Sequence, residues 1–216
     1  MGGIVRSVRT TLLVAVALVV IPSLHADIFG VTFDNTMGAQ TLVGGPSTLG
    51  WEFTLSGSIQ VNDLAFYDDG GNGLADSHEL GLWDSNGTLL ASGTVLAGTA
   101  SPLVNQWREI AVSPVQLGPG NYFIGALFLD GNDPVWSPPL AQLTLTGFAS
   151  APGVTFDQAT LAAGSTLSNP STPVGSSGYF GANFVFSPVP EPGSILLLIT
   201  VVAGVFVAVR RTAPAR

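Results

Sequence analysis

The twelve consecutive residues 68–79 place oxygen ligands at most of the positions of a calcium-binding loop. The predicted ligands, at loop positions 1, 5, 7, 9 and 12, are Asp68, Asn72, the carbonyl of Leu74, Asp76 and Glu79. A hard divalent cation needs several oxygens that converge from one loop, so the spacing predicts calcium as a cofactor. Position 3 is Gly70, which offers no ligand atom, and the flanks are predicted strands. The alternative is a glycine-rich hairpin loop kept soluble by its acids.

Trp136 is a second candidate for ligand contact. It lies in the proline-rich segment 133–139, where we expect it to be exposed and able to stack on a sugar ring. The other tryptophans, Trp51, Trp83 and Trp107, fall within or beside alternating apolar patterns and are predicted to pack in the core.

Residues typical of catalysis are scarce. His78 has no cysteine or second histidine to join it once His25 leaves with a predicted signal peptide, so a zinc site or a Cys–His pair is not expected. No serine stands in a G-x-S-x-G turn. Carboxylate pairs suited to glycoside hydrolysis exist, but most of the acids fall in predicted turns, where solubility explains them. The sequence therefore predicts a non-catalytic protein, with a hydrolase as the less favoured alternative.

The charge of the body, residues 27–187, restricts its partners. Thirteen acids stand there against one basic residue, Arg108, and the chain has no lysine. Such a field repels polyanions, which excludes nucleic acid as a partner and favours divalent cations as counter-ions. The chain also lacks cysteine, so an exported form must be stabilised by its core or by a metal rather than by disulfides.

The sequence of the body predicts an all-β fold. Apolar runs rich in β-branched and aromatic residues recur between turn signals, which predicts a single β-sandwich, jelly-roll-like. The predicted strands are 28–33, 49–55, 60–67, 79–84, 88–94, 106–112, 121–129 and 179–186, with weaker candidates at 140–148 and 154–158. Asn86-Gly87 predicts a tight hairpin, and residues 165–178, rich in Ser, Pro and Gly, predict a mobile loop.

Residues 1–26 have the organisation of a signal peptide. Arg6 and Arg9 precede the apolar stretch Thr11–Ile21, and small residues follow, with the cut expected after Ala26 by signal peptidase. An uncleaved N-terminal anchor is the alternative.

The last segment, residues 188–216, combines a stiff turn, an apolar run and a basic end. Two prolines prevent Val189–Gly193 from continuing a helix or strand. The run 194–209 carries no charge and predicts a transmembrane helix, roughly 24 Å long. Arg210 and Arg211 follow at once and mark its cytoplasmic end. The alternative is a buried terminal helix or strand of the body.

This segment resembles the PEP-CTERM sorting signal of exported bacterial proteins. The match consists of Val189, Pro190, Glu191, Pro192 and Gly193, then the apolar run, then the paired arginines. The resemblance implies recognition by an exosortase, processing at or near the Pro-Glu-Pro motif, and a bacterium that has an outer membrane and makes extracellular polysaccharide. The stretch 64–83, with the strands after it, also resembles β-sandwich domains of unknown function in exported proteins, which implies a fold and no activity.

These observations predict an exported protein that the inner membrane holds through its C-terminal helix until processing. It would then reside at the cell surface or in the extracellular matrix, associated with polysaccharide. A calcium-stabilised carbohydrate-binding module is the alternative function.

Overall fold

The computed structural model describes residues 28–33, 39–42, 44–137, 148–174 and 178–189. Within these ranges the protein is all-β, and a three-residue 3-10 turn at Asp69–Gly71 is its one helical element. The strands are β1 Ile28–Phe29, β2 Val31–Phe33, β3 Ala39–Leu42, β4 Ser47–Leu55, β5 Ile59–Tyr67, β6 His78–Asp84, β7 Leu89–Val95, β8 Leu103–Val104, β9 Trp107–Leu117, β10 Gly120–Phe128, β11 Pro134–Ser137, β12 Phe148–Ser150, β13 Val154–Ala163, β14 Thr172–Pro173 and β15 Ala182–Pro188.

Two larger sheets carry most of these strands. One has five strands in the order β1-β15-β5-β9-β8, and the other has six in the order β14-β13-β4-β10-β6-β7. The pairs β11-β3 and β12-β2 form two small ribbons. Strand pairing is antiparallel in both sheets.

The two sheets share one core. Alternate residues of β4 point inward, and Trp51 and Phe53 are fully buried. The indole Nε1 of Trp51 donates to the carbonyl of Ala182 in the other sheet (2.7 Å), and the ring of Phe53 stacks on Phe184 with centroids 4.7 Å apart. Burying one such aromatic side chain stabilises a fold by roughly 1.5–3 kcal/mol. The packing of two curled sheets around one cluster is consistent with a β-sandwich.

The outer face of the six-stranded sheet is partly covered. Gly81 and Gly125 are cross-strand neighbours there, and a Cβ on either would collide with a ring, that of Trp83 or of Pro170. Pro170 is buried, and the nearby Ser168 donates its backbone N–H to the hydroxyl of Thr48 (3.1 Å). The described part of the loop predicted to be mobile therefore packs on the sheet.

The eight main predicted strands all have counterparts, and the candidate at 154–158 is the start of β13. The predicted hairpin is present, with Gly87 donating to the carbonyl of Asp84 (3.0 Å). Its positive φ falls on Gly87 alone (83°) and not on Asn86. The candidate at 140–148 lies mostly outside the described residues.

No helix in the described ranges is long and apolar enough to cross a membrane. The predicted signal peptide at 1–26 and the transmembrane helix at 194–209 lie outside those ranges.

Candidate functional site

An acidic loop and a neighbouring loop enclose a cleft at one end of the domain. The acidic loop, residues 68–77, joins β5 to β6, and residues 129–133 join β10 to β11. Between them lies a cleft of about 350 Å³, bordered also by Gly98. Asp69, Asn72 and Asn132 place polar side chains along this cleft.

The acidic loop folds as it does because glycine occupies its strained positions. Gly70, Gly71 and Gly73 have φ values of 73°, 68° and 105°, which side chains with a Cβ rarely adopt. Asp68 accepts from the backbone N–H of Gly73 (3.0 Å), which closes the turn. The chain thus reverses within a few residues and places Asp68 in the interior.

A buried ion pair ties this loop to the five-stranded sheet. Arg108, in β9, is 3% exposed, and its Nε donates to Oδ2 of Asp68, itself 1% exposed, at 2.8 Å. The guanidinium also donates to the carbonyls of Ser101 (2.8 Å), Thr99 (3.3 Å) and Gly71 (3.3 Å). One side chain therefore holds the acidic loop and residues 99–101 together.

A second buried pair joins His78 to Asp133. Nε2 of His78 lies 3.0 Å from Oδ2 of Asp133, and Nδ1 lies 3.1 Å from the carbonyl of Leu127. Both partners are acceptors, so both bonds form together only when each ring nitrogen carries a proton. The imidazole stacks on Phe66 with centroids 3.7 Å apart.

Asp133 also fixes the end of the acidic loop. Its two oxygens accept from the backbone N–H groups of Ala75 and Asp76, each at 2.8 Å. Burial raises the pKa of Asp133, but the hydrogen bonds from His78, Ala75 and Asp76 outweigh it, so the net pKa lies below the ordinary value. A lowered pKa means that this carboxylate stabilises the fold above its unfolded pKa, near 3.9, and that the contribution is lost as the pH falls further.

The predicted calcium ligands are not brought together as a set. Asp68 is engaged with Arg108, Asp76 accepts from the side chain of Asn132 (2.8 Å), and Glu79 lies in β6 with its side chain exposed. Asn72 and Leu74 border the cleft. Among the described residues no group of three or more His, Cys, Asp or Glu is arranged to hold a metal.

Calcium binding by the acidic loop stays a prediction, and a thermal melt tests it. If calcium binds the folded protein, millimolar CaCl₂ raises the melting temperature by mass action, and Asp76→Ala removes the rise. Asp130→Ala, which alters an exposed acid outside the predicted ligand set, is the matched control. An absent shift, or an equal one in Asp76→Ala, would contradict calcium binding by the acidic loop.

The exposure predicted for Trp136 is wrong. Trp136 is 2% exposed and lies in β11, where it pairs with β3 rather than in an open loop. Its ring stacks on Phe33 with centroids 4.1 Å apart and an angle of 12° between the planes. Pro134, one of the prolines that indicated a loop, is the first residue of β11, and the indole belongs to the core.

A further pair of acids lies on the outer face of the six-stranded sheet. Asp157 accepts from the hydroxyl of Thr54 (2.8 Å), and Glu52 accepts from the side-chain amide of Gln158. Partial burial raises the pKa of Asp157, the bond from Thr54 opposes this, and the charge of Glu52 raises it further. Each carboxylate of this pair thus accepts a hydrogen bond from a neutral side chain.

Sequence reasoning missed Arg108 and Asp133 as the residues that organise the cleft. Two signals in the body, residues 27–187, pointed to them: Arg108 is its single arginine or lysine, and His78 is its single histidine. The sequence shows that Arg108 must pair with one of thirteen acids if it is buried. It does not show which acid is the partner.

The geometry is that of an all-β domain whose loops are held around an acidic cleft by the buried Arg108–Asp68 ion pair and the buried contact of His78 with Asp133. The model of a family described as a domain of unknown function, DUF4082, matches residues 35–181, and the chain belongs to this family. No curated protein matches the chain.

Proposed function

We propose that the protein is an exported, exosortase-sorted surface or matrix protein that is not an enzyme and associates with extracellular polysaccharide. One observation carries the proposal. The last of the described strands, β15, ends at Pro188, and Val189 donates its N–H to the carbonyl of Ser58 (3.1 Å), immediately before Pro190-Glu191-Pro192. The described part of the domain therefore ends next to the residues that resemble a sorting motif.

The strand order supports a jelly-roll connection within the body. The five-stranded sheet contains β1, β15, β5 and β9 side by side, and the other contains β4, β10, β6 and β7. When these eight strands are renumbered 1 to 8 in chain order, the first sheet has the order 1-8-3-6 and the second has the order 2-7-4-5. This is the strand order of a jelly roll, in which two Greek keys are folded together. β13 extends the second sheet beside β4.

The use of the ionisable groups supports a binding role over catalysis. Arg108, Asp68, His78 and Asp133 are buried and engaged in holding loops, so they are not free to transfer protons to a substrate. The polar side chains along the cleft can exchange hydrogen bonds with sugar hydroxyls. With Trp136 buried, a carbohydrate-binding module would lack its predicted stacking residue.

Replacing Pro190, Glu191 and Pro192 by alanine together tests the sorting proposal. In the native host we expect this variant to remain in the membrane fraction as an unprocessed chain, while the parent reaches the surface or the medium in a shortened form. Asp130→Ala, which removes an exposed acid of the body outside the predicted calcium ligands, is the matched control and should sort like the parent. Equal sorting of all three chains would contradict recognition of the motif.

A further inference from the structure

Both ends of the body lie at the same pole of the domain. Ile28, where β1 begins, pairs with Phe186 near the end of β15, and Pro188 pairs with Ile59, where β5 begins. The described connections at this pole, which we call the tether pole, are residues 56–58, 85–88, 118–119 and 151–153. The cut expected after Ala26 and the sorting motif therefore both adjoin it.

The acidic cleft lies at the opposite pole. β5 ends there at Tyr67, β10 ends there at Phe128, and β9 begins there at Trp107. The connections at this pole, the cleft pole, are residues 44–46, 68–77, 96–106 and 129–133. A nine-residue strand such as β5 separates the two poles by about 30 Å.

The chain between the fold and the apolar run is short compared with this length. Only Pro190–Gly193 lie between Val189 and the first residue of the run, Ser194. Four residues reach at most about 14 Å. Such a connection cannot pass around a body about 30 Å long, so an anchored domain cannot turn its cleft pole to the membrane.

The two poles also differ in the number of acidic residues that they carry. The described connections of the tether pole contain no acid, and three acids lie next to this pole in sequence: Asp84 at the end of β6, Asp27 before β1 and Glu191 after β15. The connections of the cleft pole contain Asp68, Asp69, Asp76, Asp130 and Asp133. An anionic headgroup layer repels acidic side chains within about a Debye length, roughly 10 Å, and favours the pole that has fewer of them.

We infer that the tether pole rests on the lipid headgroup layer while the protein is anchored, and that the acidic cleft faces outward. The inference depends on the anchoring in the proposed function. While the chain is anchored, the cleft would thus be open to the solvent on the outer side of the inner membrane, and the tether pole would become accessible only after release.

Site-specific fluorescence quenching tests this orientation. The full chain has no native cysteine, and Gly118 at the tether pole and Gly44 at the cleft pole are exposed glycines where a Cβ meets nothing within 4 Å. Gly118→Cys and Gly44→Cys would each be labelled and reconstituted into phosphatidylethanolamine–phosphatidylglycerol vesicles that carry a headgroup nitroxide. We expect quenching at Gly118→Cys to exceed that at Gly44→Cys several-fold.

Gly57→Cys and Leu129→Cys form a second pair should either first variant melt differently from the parent, because Gly57 has open space and Leu129 is 55% exposed. Equal quenching at the two poles, or stronger quenching at the cleft pole, in chains that float with the vesicles would overturn the orientation alone. A chain that does not float with the vesicles would overturn the anchoring as well.

Discussion

Replacing Arg108 by methionine is expected to lower the free energy of unfolding by about 3–5 kcal/mol. The substitution keeps an apolar side chain of similar length but leaves Asp68, 1% exposed, as a buried charge without its cation. It also removes the donors to the carbonyls of Ser101, Thr99 and Gly71. Urea unfolding of the body at pH 7, followed by tryptophan fluorescence, measures the loss.

Two further variants define the cause. Adding Asp68→Asn to Arg108→Met removes the buried charge and should restore part of the stability, because the cost lies mainly in the uncompensated carboxylate. Asp130→Asn removes an exposed acid and should change stability by less than about 0.5 kcal/mol. A loss below about 1 kcal/mol for Arg108→Met would place the pair among those that contribute little to stability.

Truncation at two neighbouring points is expected to give opposite results. A chain that ends at Val189 keeps β15 and should melt within about 2 °C of the parent, which for this size is under about 1 kcal/mol. A chain that ends at Gly181 lacks β15, which lies between β1 and β5 and supplies Phe184 and Phe186 to the core, and should not fold. Circular dichroism and thermal melts distinguish the two.

The same pair tests how separate the sorting segment is from the domain. The chain that ends at Val189, expressed with its first 26 residues, should be exported in soluble form because it lacks the apolar run. If removal of residues 190–216 abolished cooperative unfolding, the sorting segment would pack into the body. That outcome is the alternative considered for this segment in the sequence analysis.

The fold could be predicted where the pattern is local. Apolar residues alternate in β4, so Trp51 and Phe53 point inward. This two-residue period can be recognised in the sequence without knowledge of the partner strands. The turn at Gly87 follows from glycine's tolerance of positive φ. The family match to a domain of unknown function covers residues 35–181, which include the stretch 64–83.

The cleft could not be predicted because its contacts are distant in sequence. Arg108 meets Asp68 across 40 residues, and Asp133 meets His78 across 55. The spacing from Asp68 to Glu79 describes one loop in isolation, so it could not show that Arg108 engages the first carboxylate. The predicted exposure of Trp136 was wrong for a related reason. The burial of this side chain depends on Phe33 and on the ribbon that β11 forms with β3.

Mass spectrometry of the mature protein from its native host tests the sorting account most directly. The account predicts an N-terminus at Asp27 and a C-terminus at or near Pro190–Pro192, with the apolar run and its arginines gone. A mature protein that still extends through Arg216 would contradict it.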